Sequence, residues 1–169
     1  MKRTYKTILI ISGILVVGIC TYKFGSSFAP GSYPYAEIYE LNSSEQTVIK
    51  VIKEFKTAHP ELVVPKVSIQ NKGKFDLDDG RKDSTDLWYH FYFYDSVKNQ
   101  IFNTWTRPET ISQTTFALVS INNGLNLGNW KDLNKDFSSS ENEYFKQHFK
   151  DLVLDSIKQR LKHTIVPKH

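Results

Sequence analysis

The stretch Leu87–Tyr94, LWYHFYFY, contains six aromatic rings, one histidine and no charged residue. Segments rich in aromatic residues favour β-structure, and side chains on a strand alternate between its two faces. The more apolar set is predicted to face the core: Leu87, Tyr89, Phe91 and Phe93. The other set carries a polar group on each ring and is predicted to form a second, amphipathic face: Trp88, His90, Tyr92 and Tyr94.

This second face is the candidate binding surface of the protein. Trp105 and Arg107 on the next predicted strand join it if the hairpin register allows. Aromatic rings provide a large contact area at a low cost in conformational entropy, so the face suits a protein, peptide or glycan ligand. A second explanation is that the tyrosine-rich segment Tyr33–Tyr39 folds over the face and covers it, because exposed apolar patches are uncommon on monomers.

Two amphipathic helices flank the predicted strands. The first runs from about Ser44 to Ala58, with a capping box predicted at Ser43 and Gln46. The second begins at SSSENE, with a capping box predicted at Ser140 and Glu143, and carries a broad apolar face.

Further strands are predicted on both sides of the aromatic strand. They comprise residues 63–70 as an edge strand, IFNTWTR ended by Pro108, and TTFALVSIN. The dipeptide Asn123-Gly124 predicts a hairpin leading to Leu125 and Leu127. The order of elements predicts an α+β fold: an antiparallel sheet of four to five strands in a meander, with both helices packed on one face.

The N-terminus is predicted to be a signal anchor. Residues 7–22, TILIISGILVVGICTY, are apolar and lie between Lys6 and Lys23. As a helix they span about 24 Å, and lysine and tyrosine side chains at the ends extend the reach towards the roughly 30 Å of a bilayer core. A cleaved signal peptide and lipid attachment at Cys20 are alternatives, giving a secreted protein or a lipoprotein.

The charge distribution predicts the orientation of this anchor and argues against nucleic acid as a partner. Lys2, Arg3 and Lys6 precede the apolar run, which places the N-terminus inside and the domain outside the membrane. Without the four basic residues among the first 25 residues, the chain has 18 basic and 18 acidic residues. The rest of the chain therefore lacks the net positive charge that would favour binding to DNA or RNA. The predicted organisation is an anchor at 1–23, a linker and lead-in at 24–42, and one α+β domain at 43–169.

No catalytic residue, metal site or cofactor is predicted. Asp76–Gly80, DLDDG, lacks the spacing of a calcium loop, and His148 and Asp151 lie one helical turn apart without a third ligand. His90 has no carboxylate or nucleophile at a spacing that would orient it. The chain is expected to be a membrane-tethered, extracytoplasmic binding or scaffolding module. The alternatives are an envelope-associated hydrolase and a membrane-held immunity or inhibitor protein.

Overall fold

The aromatic strand lies in an antiparallel sheet that carries helices on one face. The computed structural model describes residues 33–70 and 72–165. The strands are β1 Glu37–Leu41, β2 Val67–Ile69, β3 Lys72–Phe75, β4 Tyr89–Asp95, β5 Gln100–Thr110, β6 Gln113–Asn123, β7 Asn126–Leu127 and β8 Lys131–Asp132. The helices are α1 Glu45–Ala58, α2 Ser139–Phe149 and α3 Asp155–Ile165, with a short 3-10 turn at Pro60–Leu62. The predicted α+β class is confirmed.

The central part of the sheet is the predicted meander. Strand β4 pairs antiparallel with β5, and β5 pairs antiparallel with β6. The strand order in the sheet is β1-β6-β5-β4. Pro108 does not end β5, which continues to Thr110, because the ladder shifts between Pro108 and Thr110 and accommodates a residue without an amide proton. A second shift between Asn103 and Thr104 adds one residue on the β6 side of the ladder.

The far edge of the sheet contains a strand that the sequence analysis assigned to the lead-in. Strand β1 pairs antiparallel with β6, Tyr39 lying opposite Phe116. Tyr39 is buried and stacks on Phe149 at 6.0 Å between ring centroids. This segment therefore lies at the opposite edge from β4 and faces the core, so the hypothesis that it covers the second face of β4 is wrong for β1.

The helix caps differ by one or two residues from the predicted ones. Ser44, not Ser43, caps α1 by accepting from the Thr47 N–H. The capping box of α2 is formed by Ser138 and Glu141. Helices α1 and α2 are each preceded by adjacent serines, and serine is a favourable N-cap residue at any of these positions, so the sequence alone does not single out the one that caps the helix.

The main core lies between the helices and one face of the sheet. It combines Phe91, Phe93, Phe102 and Phe116 of the sheet with Phe149 and the apolar stripe of α1. Between α2 and α3 the helix widens into a π turn at Lys150–Leu154. In an α-helix with 3.6 residues per turn, side chains four positions apart are displaced around the helix axis at each step. The wider π turn reduces this displacement, so the apolar side chains four positions apart stay on the side that faces the core.

The predicted core face of β4 is confirmed except at its first residue. Phe91 and Phe93 are fully buried, and Tyr89 packs against the same core. Leu87 is 60 % exposed, because β4 begins only at Tyr89 and the alternation does not extend back to Leu87.

A small second sheet packs against the other face of the main sheet. Its strand order is β3-β2-β7, and β2 pairs with β7 in parallel. The predicted hairpin at Asn123-Gly124 is therefore wrong: Gly124 has a positive φ of 79° and turns the chain, but β7 leaves β6 and joins β2. Burial of Leu127 beside Val67 and Ile101 outweighs the local preference for a hairpin.

The predicted anchor at residues 7–22 and Cys20 lie outside the described residues. Within residues 33–70 and 72–165, no helix is both long and apolar enough to cross a membrane.

Candidate functional site

The strand register brings the predicted site residues of β4 and β5 together. His90 lies directly opposite Trp105. The rings of Trp88 and Trp105 meet edge to face at 6.4 Å, and the Arg107 guanidinium lies 6.0 Å from the Trp105 ring centre. Trp105 and Arg107 therefore lie on the same face of the sheet as the second set of β4 residues, so the hairpin register meets the condition stated in the prediction. Their role in binding stays a prediction.

The second face divides into two halves. The lower half, at Tyr92 and Tyr94, is covered by the small sheet, where Val67, Ile101 and Leu127 form a second apolar cluster. Tyr92 also lies 6.3 Å from the Trp130 ring. These two tyrosines are half-buried and act in packing. The cover is supplied by β2, β7 and the residues around them.

His90, in the upper half, is held inside the structure. Its side chain is 6 % exposed, and its backbone exchanges two hydrogen bonds with Gly80, at 2.9 and 2.8 Å. Burial lowers the pKa of His90 because the charged ring would lose its hydration, an effect that the Asp86 carboxylate partly opposes. A buried histidine bonded to a loop through its backbone is placed to hold the fold.

The carboxylate of Asp79 closes the outer edge of β4. It accepts from the backbone N–H of Tyr92 at 2.9 Å and from Lys56 at 2.5 Å, while Lys56 also donates to the Tyr92 carbonyl at 2.8 Å. Lys56 is only 9 % exposed. Asp79, Lys56 and Gly80 therefore form hydrogen bonds with backbone groups of β4 that an open edge strand would present to another chain.

Three further carboxylates between Asp76 and Asp86 also have partners. Asp76 accepts from Lys66, and Asp83 accepts from Thr85. Asp86 accepts from the backbone N–H groups of Trp88 and Lys82; burial alone would raise its pKa, but these bonds outweigh burial and hold the pKa below its usual value. Among the residues that the structure describes, no group of three or more His, Cys, Asp and Glu side chains could hold a metal ion.

His148 pairs with a residue that the sequence analysis did not connect with it. Its Nε2 lies 2.6 Å from Oδ2 of Asp95, at the end of β4, whereas Asp151 accepts from Gln147. The second oxygen of Asp95 accepts from the N–H groups of Val97 and Lys98. Burial opposes ionisation of Asp95, but the bonds from His148 and the two amides outweigh it and lower the pKa. The pair fixes the β4–β5 turn to α2.

A groove lies on the second face, beside the upper half and towards β1. It has a volume of about 400 Å³, which lies within the range of about 300–1,000 Å³ of small-molecule sites. We call this feature the groove. Its lining comes from β1, β5 and β6: Ile38, Glu40, Trp105, Arg107, Glu109, Thr110, Gln113 and Thr115.

Glu109 organises the polar wall of the groove. Its Oε1 accepts a hydrogen bond from Arg107 and another, at 2.7 Å, from the Thr115 hydroxyl. These two donors lower the pKa of Glu109 and keep it ionised. Opposite them, Gln113 donates to Glu40 at 3.2 Å. The groove thus presents oriented charged and amide groups beside a tryptophan ring.

Comparison with known proteins gives no relative for this arrangement. No protein-family model, curated protein or solved structure matches the chain. Its function must be argued from its own residues.

Several residues of the groove were not recognised from the sequence. Ile38 and Glu40 alternate with Tyr39 and Leu41 in the pattern of a half-buried strand, and this signal was available within the lead-in. Glu109 and Thr115 carry no such signal, because only the β5–β6 register brings them together.

Proposed function

We propose that this protein is a membrane-tethered, extracytoplasmic module that binds its ligand in the groove. The observation that carries the proposal is the convergence of Trp105, Arg107, Glu109 and Gln113 on one open cavity. Small-ligand sites are concave and use a few precisely placed polar groups to orient the ligand, and the polar side chains of this groove are held in place by their own hydrogen bonds.

The bonding around the titratable residues favours binding over hydrolysis. A general base needs a carboxylate or histidine aimed at a substrate. His90 is buried, and Asp79, Asp86 and Asp95 accept hydrogen bonds that hold strand edges and turns. Glu109 is bonded to Arg107 and Thr115, which suits a fixed hydrogen-bonding group.

The tether part of the proposal rests on residues 7–22 and on the basic residues that precede them. Protease added to intact spheroplasts is expected to digest the domain and to leave a cytoplasmic marker untouched. A domain that stays protected until lysis, and is then recovered in the soluble fraction, would contradict the tether.

The binding part is tested by carboxyl footprinting of the full-length protein in nanodiscs. Lipid, protein and polysaccharide fractions of the host-cell envelope are added separately, and carbodiimide labelling of each glutamate is measured by mass spectrometry. We expect at least one fraction to protect Glu40 and Glu109. Glu54, 59 % exposed on α1, is the matched control and should not change.

A variant makes this test specific to the groove. Arg107→Gln removes the guanidinium that lies over Trp105. The fraction that protects Glu40 in the wild-type protein should protect it less in this variant. If every fraction leaves the labelling of Glu40 and Glu109 unchanged, the proposed binding function is wrong.

A further inference from the structure

The charge of the groove limits the class of ligand. Its lining contains two carboxylates, Glu40 and Glu109, and one cationic group, Arg107, which is already paired with Glu109. The lining therefore carries one net negative charge. A polyanion would be repelled, since like charges brought together at an interface are unfavourable.

The unused hydrogen-bonding groups of the groove limit the class of ligand further. Oε2 of Glu109 and Oε1 of Glu40 have no hydrogen-bond partner among the described residues, although the other oxygen of each group does. A carboxylate accepts up to about four hydrogen bonds, and the guanidinium of Arg107 has five N–H donors. Acceptors and donors therefore lie side by side, which matches a ligand whose groups both donate and accept, such as a row of hydroxyls.

The two central strands of the groove argue against a peptide that adds a strand between them. The groove lies largely on the face of β5 and β6, and each of these strands has a paired strand on both sides. Their backbone groups are therefore engaged within the sheet, and a peptide backbone in the groove could not form a ladder with them. On β5 and β6 only side chains are available for recognition.

The groove is also preorganised. Thr115 is 4 % exposed and holds Glu109, and Arg107 lies over Trp105, itself 4 % exposed. Ile38, 48 % exposed, adds an apolar wall suited to the C–H face of a sugar ring. Side chains that are already fixed lose little entropy on binding.

We infer that the groove binds a short run of uncharged hexose or N-acetylhexosamine units of an envelope polysaccharide. This inference rests on the proposed binding function and names the ligand class for the same site. Hydroxyls donate to the open oxygens of Glu40 and Glu109 and accept from Arg107 and Gln113.

The test is a titration of the full-length protein in nanodiscs with defined oligosaccharides. The probes are a β-1,4-linked N-acetylglucosamine tetramer, a β-1,4-linked glucose tetramer and, as the polyanion, a galacturonate tetramer. Binding is followed by isothermal calorimetry. We expect saturable binding of at least one neutral tetramer and weaker binding, or none, of the galacturonate tetramer.

Three variants connect this binding to the groove. Glu109→Gln and Glu40→Gln should each weaken the affinity for the neutral tetramer by about tenfold or more, because each removes a charged hydrogen-bond acceptor. Glu54→Gln, on the distant helix α1, should leave the affinity unchanged. Circular dichroism melting of each variant checks the fold, and Glu40→Gln remains informative if Glu109→Gln is unfolded.

The outcomes separate this inference from the proposed function. If footprinting protects the groove with the protein or lipid fraction and no neutral tetramer binds, the groove is a binding site for another ligand and this inference is wrong. Tighter binding of the galacturonate tetramer, or equal weakening by Glu54→Gln, also overturns it. If no envelope fraction protects the groove, both proposals are wrong.

Discussion

The two faces of strand β4 are both buried, but by different parts of the chain. On one face Phe91 and Phe93 are fully buried beneath the helices. On the other, Tyr92 and Tyr94 are half-buried beneath the small sheet that contains β2 and β7. This explains why the strand carries rings on both sides: it belongs to two separate apolar clusters. A run of rings on both faces of a strand is therefore better evidence for a second packed layer than for a bare binding surface.

The first prediction tests the helix-covered face and has the largest expected effect. Phe91→Ala should lower the free energy of unfolding by about 3 to 5 kcal/mol, because a fully buried phenyl ring leaves a cavity. Urea denaturation measures the change. Leu87→Ala is the control from the same predicted face, and at 60 % exposure it should change stability by less than about 0.5 kcal/mol. Equal effects of the two variants would break the comparison between buried and exposed positions.

The second prediction concerns the contact that fixes β4 to helix α2. Asp95→Asn should destabilise the protein at neutral pH by about 2 to 3 kcal/mol, because the buried carboxylate accepts from His148 and from two amides. Asp151→Asn, on the exposed side of the helix, should cost less than about 0.5 kcal/mol. Both values come from urea denaturation at pH 7.

The pH dependence of this effect has a defined sign. The pKa of Asp95 is lowered in the folded state, so its contribution is present above the unfolded value of about 3.9 and is lost as the pH falls through the lower folded value. The stabilities of wild type and Asp95→Asn should therefore converge at acid pH. A difference that stays constant down to the acid limit would show that ionisation of Asp95 does not contribute.

The third prediction tests the cover on the other face of β4. Tyr92→Ala should cost about 1 to 2 kcal/mol, since the ring is half-buried beside Trp130. A double-mutant cycle with Trp130→Ala should give a coupling of about 0.5 kcal/mol or more. Ile111→Ala, at 94 % exposure on the β5–β6 hairpin, is the control and should have no measurable effect. If Tyr92→Ala is as harmless as the control, the small sheet does not pack there in solution.

The fourth prediction has the smallest effect on stability. Arg107→Gln should change the free energy of unfolding by less than about 0.5 kcal/mol, because its ion pair with Glu109 is 40 % and 38 % exposed and screened by solvent. The same variant should lose ligand affinity, so denaturation and titration are measured together. A large loss of stability would place Arg107 among the residues that hold the fold and would remove it from the binding site.

The parts of the fold that the sequence predicted depend on local patterns. The helix Glu45–Ala58 follows from its apolar stripe and from Pro60, and the meander of β4, β5 and β6 follows from alternation and short turns. The capping residues were missed by one or two positions because adjacent serines precede both helices and the capping box favoured Ser43, which has Gln46 three residues later, whereas Ser44 caps α1 without a box. The pairing of β7 with β2 was missed because a parallel pair between segments distant in sequence leaves no local signal.

The candidate site divides in the same way. Alternation predicted that Trp105 and Arg107 share one face of β5, and the β4–β5 register, which the sequence left open, places Trp105 opposite His90. Glu109 and Thr115 were missed because their hydrogen bond forms across the β5–β6 hairpin. The Asp95–His148 contact joins residues 53 positions apart, and the sequence analysis connected His148 with its neighbour on the helix instead.

The sequence by itself determined the α+β class, the aromatic strand and the alternation between its two faces, because the period of the apolar residues is imposed by backbone geometry over a few positions. It also determined the neutral charge of the chain after its basic N-terminal segment. Only the tertiary structure decided which residues cover Tyr92 and Tyr94 on the second face and which residues line the groove. Those contacts depend on strand register and on pairs distant in the chain, and local propensity does not encode them.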